Sequence, residues 1–396
     1  MPFVLYLLGL AVFAQGTSEF MLSGLVSDIA ADMAVSVPAA GSLTSAFAVG
    51  MIVGAPLMAV LSLRWSRRRA LLGFLITFLL VHVVGALTTS YAVLLATRVV
   101  GALANAGFLA VALTTATSLV APDAKGRATS ILLGGTTLAC VAGVPGGALL
   151  GQLWGWRAAF WAVALISVPA VVAVARAVPP STPTTAHTGV RAELRALRSP
   201  GLLVTLLLGA LVNGATFCVF TYLEPLATHV SGIDDAWVPG LLALFGLGSS
   251  VGVAIGGRLA DTRPVPLLAG GTAALLAGWV VFALTAGNPV AAVVLAFIQG
   301  MLSFAVGSTL IARALYAATA APTLAGGFAT AAFNLGAAVG PWAGGRAISS
   351  GLGYRAPLWV GALFVASAVL AAGAALLARQ RRQNRQHRQR RQRRQH

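Results

Sequence analysis

Charged residues are scarce in this sequence. Asp, Glu, Lys and Arg make up only 9% of the 396 residues, whereas a soluble globular domain carries about 25%. Hydrophobic residues account for 58% of the chain, and the mean hydropathy is +0.89. These values exclude a water-soluble globule and indicate an integral membrane protein.

Cysteine is nearly absent too. Cys140 and Cys218 both lie in apolar stretches, so the sequence predicts neither a disulfide framework nor a zinc site. No group of His, Cys and carboxylates has metal-ligand spacing, and we expect His82 to serve in helix packing or to line a cavity. The segment at 246–252 resembles a nucleotide loop only superficially, because no strand precedes it. We therefore expect no metal, no cofactor and no enzymatic activity.

Long apolar stretches recur along the chain. Each has about 20 residues, enough to cross a bilayer as a helix. The sequence predicts an all-α integral membrane protein with twelve spans, numbered 1–12, near residues 3–26, 40–61, 70–87, 92–119, 129–153, 158–175, 201–223, 238–259, 265–286, 289–312, 324–348 and 357–378.

The second half of the sequence repeats the first. A shift of 198 residues aligns Arg157 with Arg355 and Gly50 with Gly248. Parallel repeats of this kind are typical of transporters that hold a site between two bundles. The sequence predicts six-helix bundles at residues 1–176 and 201–378, a Pro-rich cytoplasmic connector at 177–200, and a disordered basic tail at 379–396.

Basic residues give the chain a net charge of +17. If the span count is right, 22 of the 26 Lys and Arg residues fall on the side of both termini, so the positive-inside rule predicts that both termini are cytoplasmic. The tail has nine Arg but no aromatic residue for base stacking. We expect it to contact membrane lipid headgroups and not nucleic acid.

Glycines recur every four residues in two equivalent spans. Span 5 has Gly143, Gly147 and Gly151, and span 11 has Gly336, Gly340 and Gly344. Bare backbone on one helix face lets a neighbouring helix approach closely. Such faces suit helices that slide or rock against each other, although static packing would use them as well.

These segments resemble motifs of the major facilitator superfamily, and in particular of its twelve-helix drug:proton antiporters. Gly143, Pro145 and Gly147 resemble the antiporter motif of helix 5, although Val144 separates its Gly-Pro pair. Gly340, Pro341 and Gly344 of span 11 fit the motif's spacing better. The resemblance implies that these glycines and prolines serve the conformational change.

Other motifs extend the resemblance over the chain except the tail. Arg98 lies where the helix 4 motif has its intramembrane Arg. The loop signature between spans 8 and 9 keeps its carboxylate at Asp261, which the resemblance places in the conformational machinery, whereas Leu63 replaces it between spans 2 and 3. The segment around Glu19 looks most like bacterial chloramphenicol-resistance exporters.

Ionisable residues inside membrane spans call for a functional or structural explanation, because inserting each one at a helix centre costs about 2.5–3.5 kcal/mol of free energy. Glu19 in span 1 and Arg98 in span 4 are predicted at comparable depth. We expect them to couple transport to protons; the alternative is a fixed ion pair that only holds helices together. Glu224 is either a cavity residue or an interfacial one. The predicted substrate cavity comprises Asn105, Asn213, Glu224, Gln299 and Asn334.

The leading hypothesis is a monomeric exporter of small amphiphilic drugs, chloramphenicol above all, in the bacterial cell membrane. A proton gradient would drive it without a cofactor, and its partners would be the drug, protons and lipid. One alternative is a transporter of a sugar or other metabolite with the same fold. Another is a membrane sensor that binds a ligand without moving it.

Overall fold

The computed structural model describes residues 2–62, 65–121, 125–178, 199–260, 262–317 and 325–392, and within them the chain forms helices and no β-strand. We label the long helices after the spans. They are α1 Phe3–Phe20, α2 Val37–Ser62, α3 Arg67–Leu87, α4 Tyr91–Ser118, α5 in two parts (Lys125–Leu138 and Val144–Trp154), α6 Arg157–Ala177, α7 Pro200–Thr221, α8 Val238–Leu259, α9 Pro264–Thr285, α10 Pro289–Ala317, α11 Ala325–Ala347 and α12 Ala356–Gln392.

The described residues contain twelve long helices, which match the twelve predicted spans. In the described residues, eleven of them are long and apolar enough to cross a membrane. The remaining one is α11, whose 23 residues include many Gly as well as Asn334 and Arg346 and are therefore less apolar. The predicted all-α membrane fold is confirmed.

Two short helices lie at the end of the bundle opposite the start of α1, which we call the distal end. After α1, a 3-10 turn at Met21–Gly24 leads into the helix Val26–Asp32. After α7 comes the helix Leu223–His229. The two helices occupy equivalent places in the sequence repeat, so each half carries the same short element at its distal end.

In the described part of the chain, two pairs of long helices make the most extensive contacts between the halves. α2 packs along α11, and α5 packs against α8. In the repeat, α2 is equivalent to α8 and α5 to α11, so each half presents the same two helices to the other. The interface is therefore pseudo-symmetric, which suits a rocking motion of one half against the other.

Pro145 explains why α5 has two parts. A π-helical turn at Ala139–Gly143 joins them. Proline lacks the N–H that would bond to the carbonyl four residues earlier, at Val141, and its ring crowds that carbonyl. The wider turn relieves this conflict in the middle of the helix.

Glycines allow the closest helix crossings. A Cβ at Gly336 would collide with the carbonyl oxygen of Ala210, and one at Gly340 would collide with that of Gly214. α7 and α11 thus touch backbone to backbone, as the glycine spacing in span 11 predicted.

The C-terminal tail requires a correction. We predicted disorder from residue 379, but α12 continues as a helix to Gln392. Arg and Gln favour helices, and no Gly or Pro interrupts this segment. Because the membrane helix is already formed, extending it needs no new nucleation. The predicted connector, except its ends, and Asp261 lie outside the described residues.

Candidate functional site

Arg98 is held by α1 in the interior of the first half. The side chain is only 2% exposed. Its Nη1 donates to Ser18 Oγ at 2.8 Å, and its Nη2 donates to the Ser18 carbonyl oxygen at 2.8 Å. The guanidinium carbon also lies 4.5 Å from the centre of the Phe47 ring, a cation–π distance. α1, α2 and α4 therefore meet at this one side chain.

His82 of α3 completes this group. Its Nε2 lies 2.6 Å from Ser18 Oγ, and its Nδ1 lies 2.6 Å from the Phe78 carbonyl oxygen. The imidazole packs beside the Phe78 and Phe160 rings, with centroid separations of 4.2 Å and 5.8 Å. Arg98, Ser18 and His82 form one buried hydrogen-bond network, which we call the Arg98 network.

Glu19 is adjacent to this network but forms no ion pair with it. The described residues contain a single ion pair, between Arg157 and Asp32 at 2.6 Å. The fixed Glu19–Arg98 ion pair, the alternative left open by the sequence, is therefore not formed here. Ser18 and Glu19 are successive residues of a helix and point in different directions, and Arg98 binds Ser18. Arg98 still acts on Glu19 electrostatically.

Glu19 also lies near the junction of the two halves. It is half-buried, and its charge reaches Cys140 in the π-helical turn of α5. The next residue, Phe20, packs its ring on Phe217 of α7, with centroids 5.7 Å apart. A carboxylate in this place can change its surroundings when the halves move.

Gln15 is a site residue that the sequence analysis missed. It is 1% exposed, and neither of its amide atoms has a hydrogen-bond partner among the described residues. It precedes Glu19 by four residues and so shares a face of α1 with it. An unpaired buried amide is costly. Only its polarity in an apolar helix could have indicated it.

The amides predicted to line a substrate cavity are spread over several helix contacts. Asn105 donates to Met51 Sδ at 3.6 Å, Asn213 to the Phe333 carbonyl oxygen at 2.7 Å, and Gln299 to the Leu275 carbonyl oxygen at 3.1 Å. Asn334 donates to the carbonyl of Thr330 in its own helix. The first three link neighbouring helices, and a role of any of the four in substrate binding stays a prediction.

Glu224 connects the halves at the distal end. It lies three residues beyond the end of α7 and accepts the Ser27 hydroxyl at 2.7 Å and the Ser27 N–H at 3.3 Å, both on Oε2. Burial raises the pKa of this carboxyl, the Ser27 hydrogen bonds oppose the rise, and the charges of Asp28 and Asp235 add to it.

Two further contacts hold the distal ends together. Gln152, near the end of α5, donates to the carbonyl of Asp235, just before α8. Pro38, at the start of α2, lies 3.3 Å from where a Cβ on Gly345 of α11 would be. With the Ser27–Glu224 bonds, these contacts form the distal junction between the halves.

The glycines of the predicted conformational motifs, and Pro341, lie at close helix contacts. Gly143 abuts Thr17, and a Cβ on Gly147 would lie 3.1 Å from Met21 Cβ, so α5 packs tightly on α1. In the second half, a Cβ on Gly344 would lie 2.8 Å from Cys218 Sγ. The Pro341 carbonyl accepts the Tyr222 hydroxyl at 2.9 Å.

Similarity to known proteins covers nearly the whole chain. The Major Facilitator Superfamily profile matches residues 8–326. A chloramphenicol resistance protein of Streptomyces lividans is 56% identical over 375 residues, which are 94% of this chain and 96% of that protein. The inner membrane transport protein YdhP of Escherichia coli (strain K12) is 35% identical over 363 residues, 92% of this chain and 93% of that protein.

Solved structures share the fold. A bacterial homolog of the human lysosomal transporter Spinster, in an inward-facing and occupied conformation, superposes with a TM-score of 0.77 over 96% of each chain, at 18% identity. The same homolog, inward-facing and unoccupied, gives a TM-score of 0.73 over 95% of this chain and 96% of its own.

Proposed function

Because the chain belongs to the Major Facilitator Superfamily and is a multi-pass membrane transporter, we propose that it exports small amphiphilic drugs, chloramphenicol above all, in exchange for protons. The observation that carries this proposal is the 56% identity, over 94% of the chain, to a chloramphenicol resistance protein. The proton gradient is the energy source, and no cofactor takes part.

Two polar side chains on one face of α1 support the proposed exchange of drug for protons. Gln15 and Glu19 lie on one face of this helix, and Glu19 is near the junction of the halves. Drug sites of this kind combine apolar walls with a few polar groups. A carboxylate that changes its surroundings can also bind a proton in one conformation and release it in another. We assign proton coupling to Glu19, with Arg98 as the neighbouring cation.

The charge distribution supports an orientation in the bacterial cell membrane. In the predicted topology, the Lys- and Arg-rich connections are on the same side of the membrane as both termini. By the positive-inside rule this end is cytoplasmic, and the distal end faces outward. The Arg-rich extension of α12 then lies near anionic headgroups of the inner leaflet. We propose a monomer, since one chain forms both halves of the pathway.

Drug accumulation in cells tests the export proposal. A chloramphenicol-sensitive bacterium that expresses the protein should accumulate less radiolabelled drug than the same strain with an empty plasmid. A protonophore should remove the difference, because it collapses the proton gradient. Everted vesicles should take up drug when their lumen is acidified. If the protein moves a sugar but no drug, the metabolite alternative replaces the proposal.

The distal junction predicts a further pH effect. Because burial raises the pKa of Glu224 in the closed junction, the closed form binds a proton more tightly than a form in which Glu224 faces water. Lower external pH should therefore favour closure, and this contribution is lost as pH rises through the closed-state pKa. Spin labels at Trp154→Cys and Trp237→Cys, both native side chains being 72% exposed, would measure the separation of the distal ends.

Matched variants show whether Glu224 is responsible. Glu224→Gln should make the label separation much less dependent on pH. Asp32→Asn is the control, because Asp32 pairs with Arg157 within the first half and does not bridge the halves. A pH response that survives in Glu224→Gln would show that a group other than Glu224 is responsible.

A further inference from the structure

The hydrogen bonds of His82 determine where its proton lies. Nδ1 is 2.6 Å from the Phe78 carbonyl oxygen, and a carbonyl only accepts, so Nδ1 carries the hydrogen. A second proton on Nε2 would add a positive charge to a buried site that already holds Arg98. The ring is therefore neutral, and Nε2 accepts a hydrogen bond from the Ser18 hydroxyl at 2.6 Å.

The direction of this bond determines what Ser18 offers Arg98. A hydroxyl has one hydrogen, and the Ser18 hydroxyl donates it in the hydrogen bond to His82 Nε2. The remaining lone pairs of Ser18 Oγ accept from Arg98 Nη1, while the Ser18 carbonyl accepts from Nη2. The donors thus run in one direction, from Arg98 to Ser18 to His82 to the Phe78 carbonyl. Without His82, the Ser18 hydroxyl would be free to turn its hydrogen to a carbonyl of its own helix.

Holding Arg98 on Ser18 has a consequence for the next residue. Arg98 is close enough to act electrostatically on Glu19, yet the two form no ion pair. A direct ion pair would favour the charged carboxylate strongly and so oppose proton uptake. Arg98 of α4 is the charged group that acts on Glu19. The charge of Glu19 in turn reaches Cys140 of α5, and His82 of α3 lies beyond Ser18.

We propose that His82 is a positioning residue for proton coupling: as a neutral acceptor it orients the Ser18 hydroxyl, and Ser18 then holds Arg98 beside Glu19 without an ion pair. The inference rests on the proposed proton exchange at Glu19. It gives a function to a buried histidine that the sequence analysis assigned to packing or to a cavity.

His82→Phe tests the proposal. Phenylalanine keeps an aromatic ring between Phe78 and Phe160 but removes both nitrogens. Without His82 the Ser18 hydroxyl is no longer oriented for Arg98 Nη1, and only the bond from Nη2 to the Ser18 carbonyl remains. Arg98 should then turn its Nη1 toward Glu19, and the pH at which export is half-maximal should fall. We expect export near neutral pH to drop by about tenfold, the effect of losing the one buried hydrogen bond between the Ser18 hydroxyl and the charged Arg98.

Two further variants separate positioning from simple packing. His82→Gln can donate from its amide nitrogen to the Phe78 carbonyl and accept from Ser18 at its amide oxygen, so it should restore most of the wild-type pH profile. Ser18→Ala removes the middle of the network and should reproduce the shift of His82→Phe. The double variant of Ser18→Ala and His82→Phe should shift no further, since both changes break one chain of bonds.

A second measurement keeps the inference independent of the drug. Infrared difference spectra of the purified protein follow the protonated carboxyl of Glu19, identified by its loss in Glu19→Gln. His82→Phe and Ser18→Ala should both move this titration to lower pH, and His82→Gln should leave it near that of the wild type. Unchanged titration in His82→Phe and Ser18→Ala, or equal shifts in His82→Gln and His82→Phe, would overturn the proposal. Failure of the wild type to move chloramphenicol would refute the drug assignment alone.

Discussion

Glu19→Gln is expected to abolish uphill export of chloramphenicol while leaving the protein in the membrane. Glutamine has nearly the size of a protonated glutamic acid but cannot gain or lose a proton. Glu19 is half-buried near the junction of the halves, so the neutral substitute should also remove the cost of a buried charge. Drug flux into acidified everted vesicles measures the result, and we expect it to equal that of vesicles without the protein.

The control for this variant changes another carboxylate of the same half. Asp32 is at the distal end, with its side chain 45% exposed, and pairs with Arg157. An exposed ion pair contributes about 0–1 kcal/mol, so Asp32→Asn should export at a nearly normal rate. Uphill export by Glu19→Gln with normal pH dependence would show that another group carries the proton.

Gly246→Ala is expected to reduce transport strongly for a steric reason, without any change in proton binding. Gly246 of α8 faces the π-helical turn of α5, where a Cβ would collide with the Cys140 carbonyl oxygen and lie 2.7 Å from its carbonyl carbon. The neighbouring atoms belong to the backbone and cannot turn aside. One methyl group therefore pushes apart the helices through which the halves meet. Export should fall by at least an order of magnitude, since overpacking costs about 1–3 kcal/mol.

Gly257→Ala is the matched control on the same helix. Gly257 is exposed, and no atom lies within 4 Å of the position of its Cβ. This variant should transport normally, and both proteins should reach the membrane in similar amounts by immunoblot. Equal flux in the two variants would mean that the α5–α8 crossing does not limit the conformational change.

The sequence was informative where the physical signal is local or periodic. Apolar stretches of membrane-spanning length predicted the helices, and counting residues from the span ends put Glu19 and Arg98 at comparable depth. Glycine spacing predicted that a neighbouring helix could approach one face of α11 closely, and the structure shows that this neighbour is α7. These signals depend on length and period alone, so one sequence is enough to find them.

Contacts that depend on the rotation of a helix could not be predicted in this way. Depth along the membrane does not tell whether Arg98 binds Ser18 or Glu19, since the two are neighbours in α1. The Ser27–Glu224 bonds join segments almost half the chain apart, and no pattern in either segment indicates the other. Gln15 could not be identified from the sequence either, because a single amide in an apolar helix resembles many amides that serve only helix packing.

The break in α5 has a mechanical consequence. Its first part packs closely against α1, because Gly135 approaches the Gly9 carbonyl. Its second part contains Gln152, which belongs to the distal junction. α1 changes to a 3-10 turn at Met21, and Gly143 at the end of the π-helical turn touches Thr17 of α1. The regular α-helical geometry of α1 and that of α5 are therefore interrupted at nearly the same depth in the bundle. The distal parts of α1 and α5 can therefore pivot at these two turns and open the distal junction without displacing the Arg98 network.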